Sequence, residues 1–545
     1  MNKKIQKLRY KFLGIMVFIL IMASFMHAKA QYIPVHKTNQ VYDFLQELAS
    51  EKLINESLLI KPLSRKEIYE ILTSFDPFRL KYRQLKTLNF YLNDFNKENY
   101  PHKDFERRLD LLYYRDSAVS ITINPIGGGK IWINENGTHN HWWNGAEAWG
   151  TFNNLGIYGS LRDNHESQQF TYPEYLNRNL GGANFKNVGD GKVDYWEFRG
   201  GITYDFGMGN IGLIKDHIEW GSNYHGANIF SGRAPSFAHL SFNLNPVHWL
   251  DFRFVHGWLV SEVVDSSRSF YSTGQAGSGT DFREVYHNKY MAANMITVRP
   301  VKHLNLSLGN SIIYDYDNPH PVYFIPLMFY KAVDHSLNSG IDNMNSQLFV
   351  NLSSNLVRRT HLYASLFIDE LAVSRIFDDE EHNFYSFKGG LRLNNLFVYD
   401  TYAGAEVTIT NALTYQHYVG TTTFESNRFN LGHYLEDNAQ ELYAYLGVKP
   451  IRNMDIRVAY NFARKGPDHN QLGSQRTTIT PFEPIVWESE MIDISLKWQF
   501  INDGYLNVGF TLRDIEGEEE YLDRYTPEYF QGRTGTFTAG INYGF

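Results

Sequence analysis

Between Lys215 and Pro235 the chain gathers Trp220, Asn223, Tyr224, His225 and Arg233 around the glycines Gly221, Gly226 and Gly232. This is a vocabulary for holding sugars. Aromatic faces stack on the apolar side of a sugar ring, while amide, carboxylate and guanidinium groups exchange hydrogen bonds with its hydroxyls. The same mixture suits a loop folded into a polar interior. The segment therefore reads either as a polysaccharide-binding surface or as a network that fills a lumen. Asp369 and Glu370 are a second candidate. Neighbouring strand residues project to opposite faces, so the two make a poor acid–base pair and are assigned a supporting place in that network.

No catalytic residue is assigned, and no cofactor or metal is expected. The chain has no Gly-x-Ser-x-Gly, His-Glu-x-x-His or phosphate-loop motif. Its 20 His are scattered. Cys is absent, which removes disulfides, thiolate metal sites and lipoprotein acylation.

These residues need elements to position them, and the pattern from Asp116 onward is period two. Trp196, Phe198, Ile202, Tyr204 and Phe206 alternate with Glu197, Arg199, Thr203 and Asp205. Ile492, Ile494, Leu496, Trp498 and Phe500 alternate with Asp493, Ser495, Lys497 and Gln499. Each such strand has one apolar and one highly polar face, as in a barrel with lipid outside and water inside. Aromatic residues at strand ends suit interfacial girdles, and the cluster at 134–149, with Trp142-Trp143, His139 and His141, reads either as a second functional cluster or as part of such a girdle. The chain ends on an alternating strand finishing in Tyr543 and Phe545, read as a membrane-assembly signal for barrel-assembly machinery. At roughly 24 residues per strand, turn and loop, residues 116–545 give about 18 strands, within a range of 16 to 20. The expected fold is an all-β transmembrane barrel of about 18 antiparallel strands with a small N-terminal periplasmic helical element.

Residues 1–30 read as a cleaved signal peptide, with a basic start, an apolar run from Phe12 to Ala23, and Ala28-Lys29-Ala30 as the cleavage site. Removing them takes away six basic and no acidic residues, moving the formal charge from -8 to -14. That disfavours nucleic acid as a partner. Residues 31–115 read as a periplasmic helical region, after a short lead at 31–40. Val41, Phe44, Leu45 and Leu48 recur at helical spacing, and Ser64 with Glu67 forms a capping box ahead of Ile68, Ile71 and Leu72. A third helix carries Leu85, Leu88, Leu92 and Phe95, and a fourth Phe105, Leu109 and Leu112. Their charged outer faces point to water. Long polar loops at 265–281, 424–436, 467–481 and 516–528 alternate with short turns and are expected outside the cell.

Three groups of residues resemble the Wzi-type capsule-assembly family of outer-membrane β-barrels. They are the Trp220-Gly221 turn followed by Phe230-Ser231-Gly232-Arg233-Ala234-Pro235; Phe367-Ile368-Asp369-Glu370; and Tyr415-Gln416-His417-Tyr418 with Leu431-Gly432-His433 and Asp437-Asn438-Ala439. Gly232, Arg233 and Glu370 depart from that pattern. The resemblance spans roughly residues 150–545. It implies an 18-strand barrel with a periplasmic helical element and a lectin-like, non-enzymatic role, holding capsular or surface polysaccharide at the outer membrane. Its partners would be that polysaccharide and outer-membrane lipid. The contrasting expectation is a porin or oligosaccharide channel with an open lumen.

Overall fold

The structure is a computed structural model. It describes residues 32–99, 108–189, 191–273, 280–337, 341, 343–376, 378, 381–395, 398–469 and 477–544. The signal-peptide reading, Phe105 of the expected fourth helix, and Phe545 lie outside those residues. A closed antiparallel barrel of eighteen strands dominates. In chain order its strands are β1 Val119–Asn134, β2 Gly137–Phe152, β3 Leu155–Glu166, β4 Lys192–Asp205, β5 Gly209–Asp216, β6 Phe237–Val247, β7 Leu250–Leu259, β8 Lys289–Val301 and β9 Leu304–Tyr314. They continue as β10 Met344–Ser354, β11 Thr360–Glu370, β12 Phe384–Asn394, β13 Thr401–Thr410, β14 Ala439–Val448, β15 Met454–Lys465, β16 Trp487–Ile501, β17 Gly504–Gly517 and β18 Gly532–Tyr543. The ring closes where β18 pairs with β1, from Phe537 opposite Ile133 to Tyr543 opposite Gly127.

The alternation read from the sequence sorts side chains as a membrane barrel requires. On β4, Trp196 is 69% exposed and Phe198 and Ile202 also point outward, while Arg199, Thr203 and Asp205 are buried inside. On β15, Val458 faces out and Asn461 and Lys465 face in. A row of bare apolar side chains around a ring is stable in lipid and unfavourable in water. No described helix is long and apolar enough to cross a membrane.

Short turns such as 206–208, 302–303 and 502–503 gather at one end of the barrel and long loops at the other. The short-turn end is covered by the helical element: α1 Val41–Ser50, α2 Arg65–Thr73 and α3 Tyr82–Phe95. These share an apolar core that includes Val41, Leu45, Ile68, Leu72, Leu88 and Phe95. The capping box at α2 is present: Ser64 Oγ accepts from Glu67 N at 3.1 Å, and Ser64 N donates to Glu67 Oε2 at 2.8 Å. Two expectations are corrected. Leu109 and Leu112 are not on a helix, because Leu112–Arg115 extends the sheet beside β1. The charged helix faces do not all point to water, since Glu47, Arg65, Arg83 and Asp94 are buried. Barrel groups of opposite sign meet several of them. Asp43 pairs with Arg392 at 2.7 Å, Glu47 with Lys449 at 2.9 Å, Lys66 with Asp205 at 2.6 Å, and Arg83 with Asp400 at 2.6 Å. A polar lumen wall is as good a counterpart for a charged helix face as solvent is.

Candidate functional site

Residues 217–236, between β5 and β6, do not stay among the outer loops. They fold into the barrel. Glu219 and Trp220 pair with Ile60 and Lys61, which ties the segment to the N-terminal region. Gly221 and Gly226, with φ of 114° and 104°, turn the backbone through conformations open to glycine. The segment then reaches β14, where His225 Nδ1 lies 2.9 Å from Glu441 Oε1. Strand 14 is nine strands from strand 5 in a ring of eighteen, so the tip touches the opposite wall. On the way, Asn228 donates to the Ser386 carbonyl at 2.9 Å and accepts from Ser365 Oγ at 2.6 Å. The segment is a cross-bar through the lumen.

The residues singled out in the sequence fall at different levels of this bar. Trp220 is 1% exposed, edge-on to Phe230 at 5.1 Å and near Phe349 at 6.1 Å, so its ring is packed inside and not offered to a ligand. Arg233 is also buried and donates to the carbonyls of Pro173 and Tyr175 at 2.9 and 2.5 Å. Asn223 donates to the Gly221 carbonyl at 3.0 Å and accepts from Gly226 N at 3.2 Å, bracing the turn. Tyr224 N donates to Glu406 at 2.7 Å, and its hydroxyl pairs with His361 at 2.8 Å. Asp369 joins the same structure at one remove: it accepts from Tyr415 N at 2.9 Å, and the Tyr415 hydroxyl donates to the Asn228 carbonyl at 2.6 Å. Glu370 stands apart, paired with Arg375 at 2.6 Å. Tyr543 sits at the closing seam, its hydroxyl donating to the Leu109 carbonyl at 3.1 Å.

Between the cross-bar and the helical element lies a cavity of about 450 Å³. Asn223, Tyr224 and Arg233 border it from above, and Asp43, Tyr42 and Tyr91 border it from the helical side. Its side wall includes His361, Lys449, Arg457 and Lys497.

No family profile matches the sequence, and no curated protein is similar to it. Among solved structures, Wzi of Escherichia coli superposes with a TM-score of 0.58 at 12% identity, covering 94% of this chain and 99% of that one. The chain has the fold of Wzi. That protein is described as an outer-membrane protein involved in group 1 capsule assembly and as a carbohydrate-binding β-barrel. OccD3 (OpdP) of Pseudomonas aeruginosa aligns at 9% identity over 78% of this chain and 91% of its own, with a TM-score of 0.43. OccAB2 of Acinetobacter baumannii aligns at 8% identity over 78% and 97%, with a TM-score of 0.42.

Within this Wzi-like barrel the cross-bar is held by charge as well as by packing. Burial alone would raise the Glu219 carboxyl, but Lys61 and Lys37, at 2.7 and 3.3 Å, outweigh it and hold the group down at about 2. Burial pushes the His225 imidazole down to about 3, so it is neutral and donates its Nδ1–H to Glu441. Burial also lowers Arg233, to about 10. The sequence reading missed Lys37, which it placed in a plain lead segment, and the wall residues Lys449, Arg457 and Lys497. The wall residues lie on or beside strands whose other face is apolar, so alternation alone marked them as facing inward. Nothing local marked Lys37, whose partner Glu219 is far along the chain.

Proposed function

We propose that the protein is an integral outer-membrane barrel that binds exported surface polysaccharide without chemically altering it. One observation carries the reading. The lumen is spanned from β5 to β14 by a segment tethered at both ends, and its short-turn end is covered by α1 to α3. A diffusion channel needs a continuous water path, and this architecture places protein across it twice. The likeness to Wzi supports the same reading at the level of fold.

In this arrangement the short-turn end and the helical element face the periplasm, and the long loops face outward. Lipid surrounds the outer face of the ring, and the end of the sequence, Tyr543 and Phe545, is presented to the barrel-assembly machinery. Residues 1–30 are removed on export. Many weak contacts along a repeating polymer add up by avidity to firm retention. Asn223, Tyr224 and Arg233 are the members of the initial site that border the cavity. Trp220, Arg233 and Asp369 hold the scaffold.

The test pairs two measurements on detergent-purified protein. Planar-bilayer recordings are expected to be silent, and immobilised surface polysaccharide is expected to retain the protein. Steady large openings without polymer retention would overturn the proposal in favour of a solute channel.

A further inference from the structure

The cavity beneath the cross-bar is basic, although the whole chain is acidic, with a formal charge of -8. Eight Lys and Arg residues border it against three carboxylates, those of Asp43, Glu219 and Asp455. The carboxylates are already taken. Glu219 is held by Lys37 and Lys61, Asp43 by Lys449 at 2.5 Å and Arg392, and Asp455 by Arg457 at 3.0 Å.

Three cations make no ion pair among the described residues, Arg233 having Glu436 only at longer range. Lys497 gives its ammonium to the Thr38 carbonyl at 3.2 Å. Arg178 enters the cavity from the loop after β3 and makes no ion pair among the described residues. Arg233 is 2% exposed and bonds two carbonyls through Nη2, while its Nε and Nη1 have no hydrogen-bond partner among the described residues. Guanidinium and ammonium groups bind carboxylates with short, charge-assisted hydrogen bonds.

We propose that this cavity binds carboxylate-bearing sugar units, an inference that rests on the polysaccharide-binding reading above and narrows it to acidic glycans. Its volume of about 450 Å³ lies within the ~300–1,000 Å³ usual for small-molecule sites. The amides of Asn39, Gln40, Asn223 and Asn453 supply partners for hydroxyls, and the rings of Tyr42 and Tyr224 supply apolar faces. A bare inorganic anion would use the cations and leave these groups idle. Arg178 and Lys497 act as the carboxylate-seeking pair.

The test is calorimetric titration of the full-length protein in detergent with trigalacturonate, maltotriose and inorganic phosphate. Trigalacturonate is expected to bind at least about 10-fold more tightly than either of the others. Its affinity should fall several-fold as salt rises from about 50 to about 500 mM. Lys497→Gln and Arg178→Gln are each expected to weaken it roughly 3- to 10-fold with thermal unfolding unchanged. Equal binding of maltotriose, equal binding of phosphate, or unchanged affinity in both variants would overturn the assignment. If surface polysaccharide is retained but trigalacturonate does not bind, only the cavity assignment falls. If no polysaccharide of any charge is retained, the proposed function falls with it.

Discussion

His225 lies flat on Tyr443, ring centroids 3.8 Å apart and planes within 16° of each other. The same imidazole donates to Glu441, which also accepts from Tyr434 and, at 2.8 Å, from Asn461. This is where the cross-bar is pinned to the far wall. His225→Ala removes both the stacking and one of the carboxylate's donors. It is expected to cost about 2–4 kcal/mol and to produce openings in planar-bilayer recordings. His225→Gln, which keeps a donor, should open less. Silent recordings and unchanged melting in the alanine variant would mean that the pin does not hold the bar.

Trp220 tests whether the segment acts by packing or by contact with ligand. Trp220→Ala leaves a void beside Phe230 and Phe349 and is expected to cost about 3–5 kcal/mol, read as earlier loss of the folded band when unboiled samples are heated. Trp220→Phe should recover much of this and keep polymer retention near that of the native protein. A phenylalanine variant that is as stable as the native protein yet no longer retains polymer would show that the indole touches the glycan.

Acid should loosen the helical element. The Glu47 carboxyl would be raised by burial, but Lys449 and Arg83 hold it at about 2, below its ordinary 4.5. A depressed carboxyl contributes its stability in full above the unfolded value, and that stability is lost as pH falls from about 4.5 to about 2. Limited proteolysis within residues 41–99 is therefore expected to start only below about pH 4.5. Glu47→Gln should be cut already at pH 7, having lost roughly 3 kcal/mol.

Glu436 has the opposite sign. It lies in the loop after β13, and burial lifts its carboxyl to about 7 despite Lys465 and Arg233 nearby. A raised carboxyl stabilises the fold when protonated, and that contribution fades as pH climbs from about 4.5 through about 7. Glu436→Gln is expected to raise the melting temperature at pH 8 and to flatten its decline between those values. An unchanged pH profile would refute this.

Much of the barrel was legible because its cause is local. Trp196, Phe198 and Ile202 alternate with Arg199 and Thr203 since each second side chain meets lipid, and this prints directly onto neighbouring letters. The Ser64–Glu67 capping box is local in the same way. Leu109 and Leu112 misled because their spacing fits a helix, while a tertiary partner, Ser120–Ile123, drew Leu112–Arg115 into the sheet. The segment around Trp220 was recognised by composition as a surface or a filler. What separates those two is contact with Phe349, more than a hundred residues away, which no window of sequence contains. Tyr32 and Lys37 looked like a lead for the same reason. Tyr32 accepts through its carbonyl from Thr203 Oγ1 at 2.5 Å, near the short-turn end of β4.

The helical element precedes β1, yet its grips are supplied from far downstream. Asp43 and Arg392 are 349 residues apart, and Glu47 and Lys449 are 402 apart. Contacts of such separation form late, because the intervening chain must be ordered first. The earliest part of the polypeptide is thus among the last to find its place. A nascent chain that stopped short of β12 would leave Asp43 and Glu47 without their barrel partners, so α1 gains its full set of grips only once most of the ring has been made.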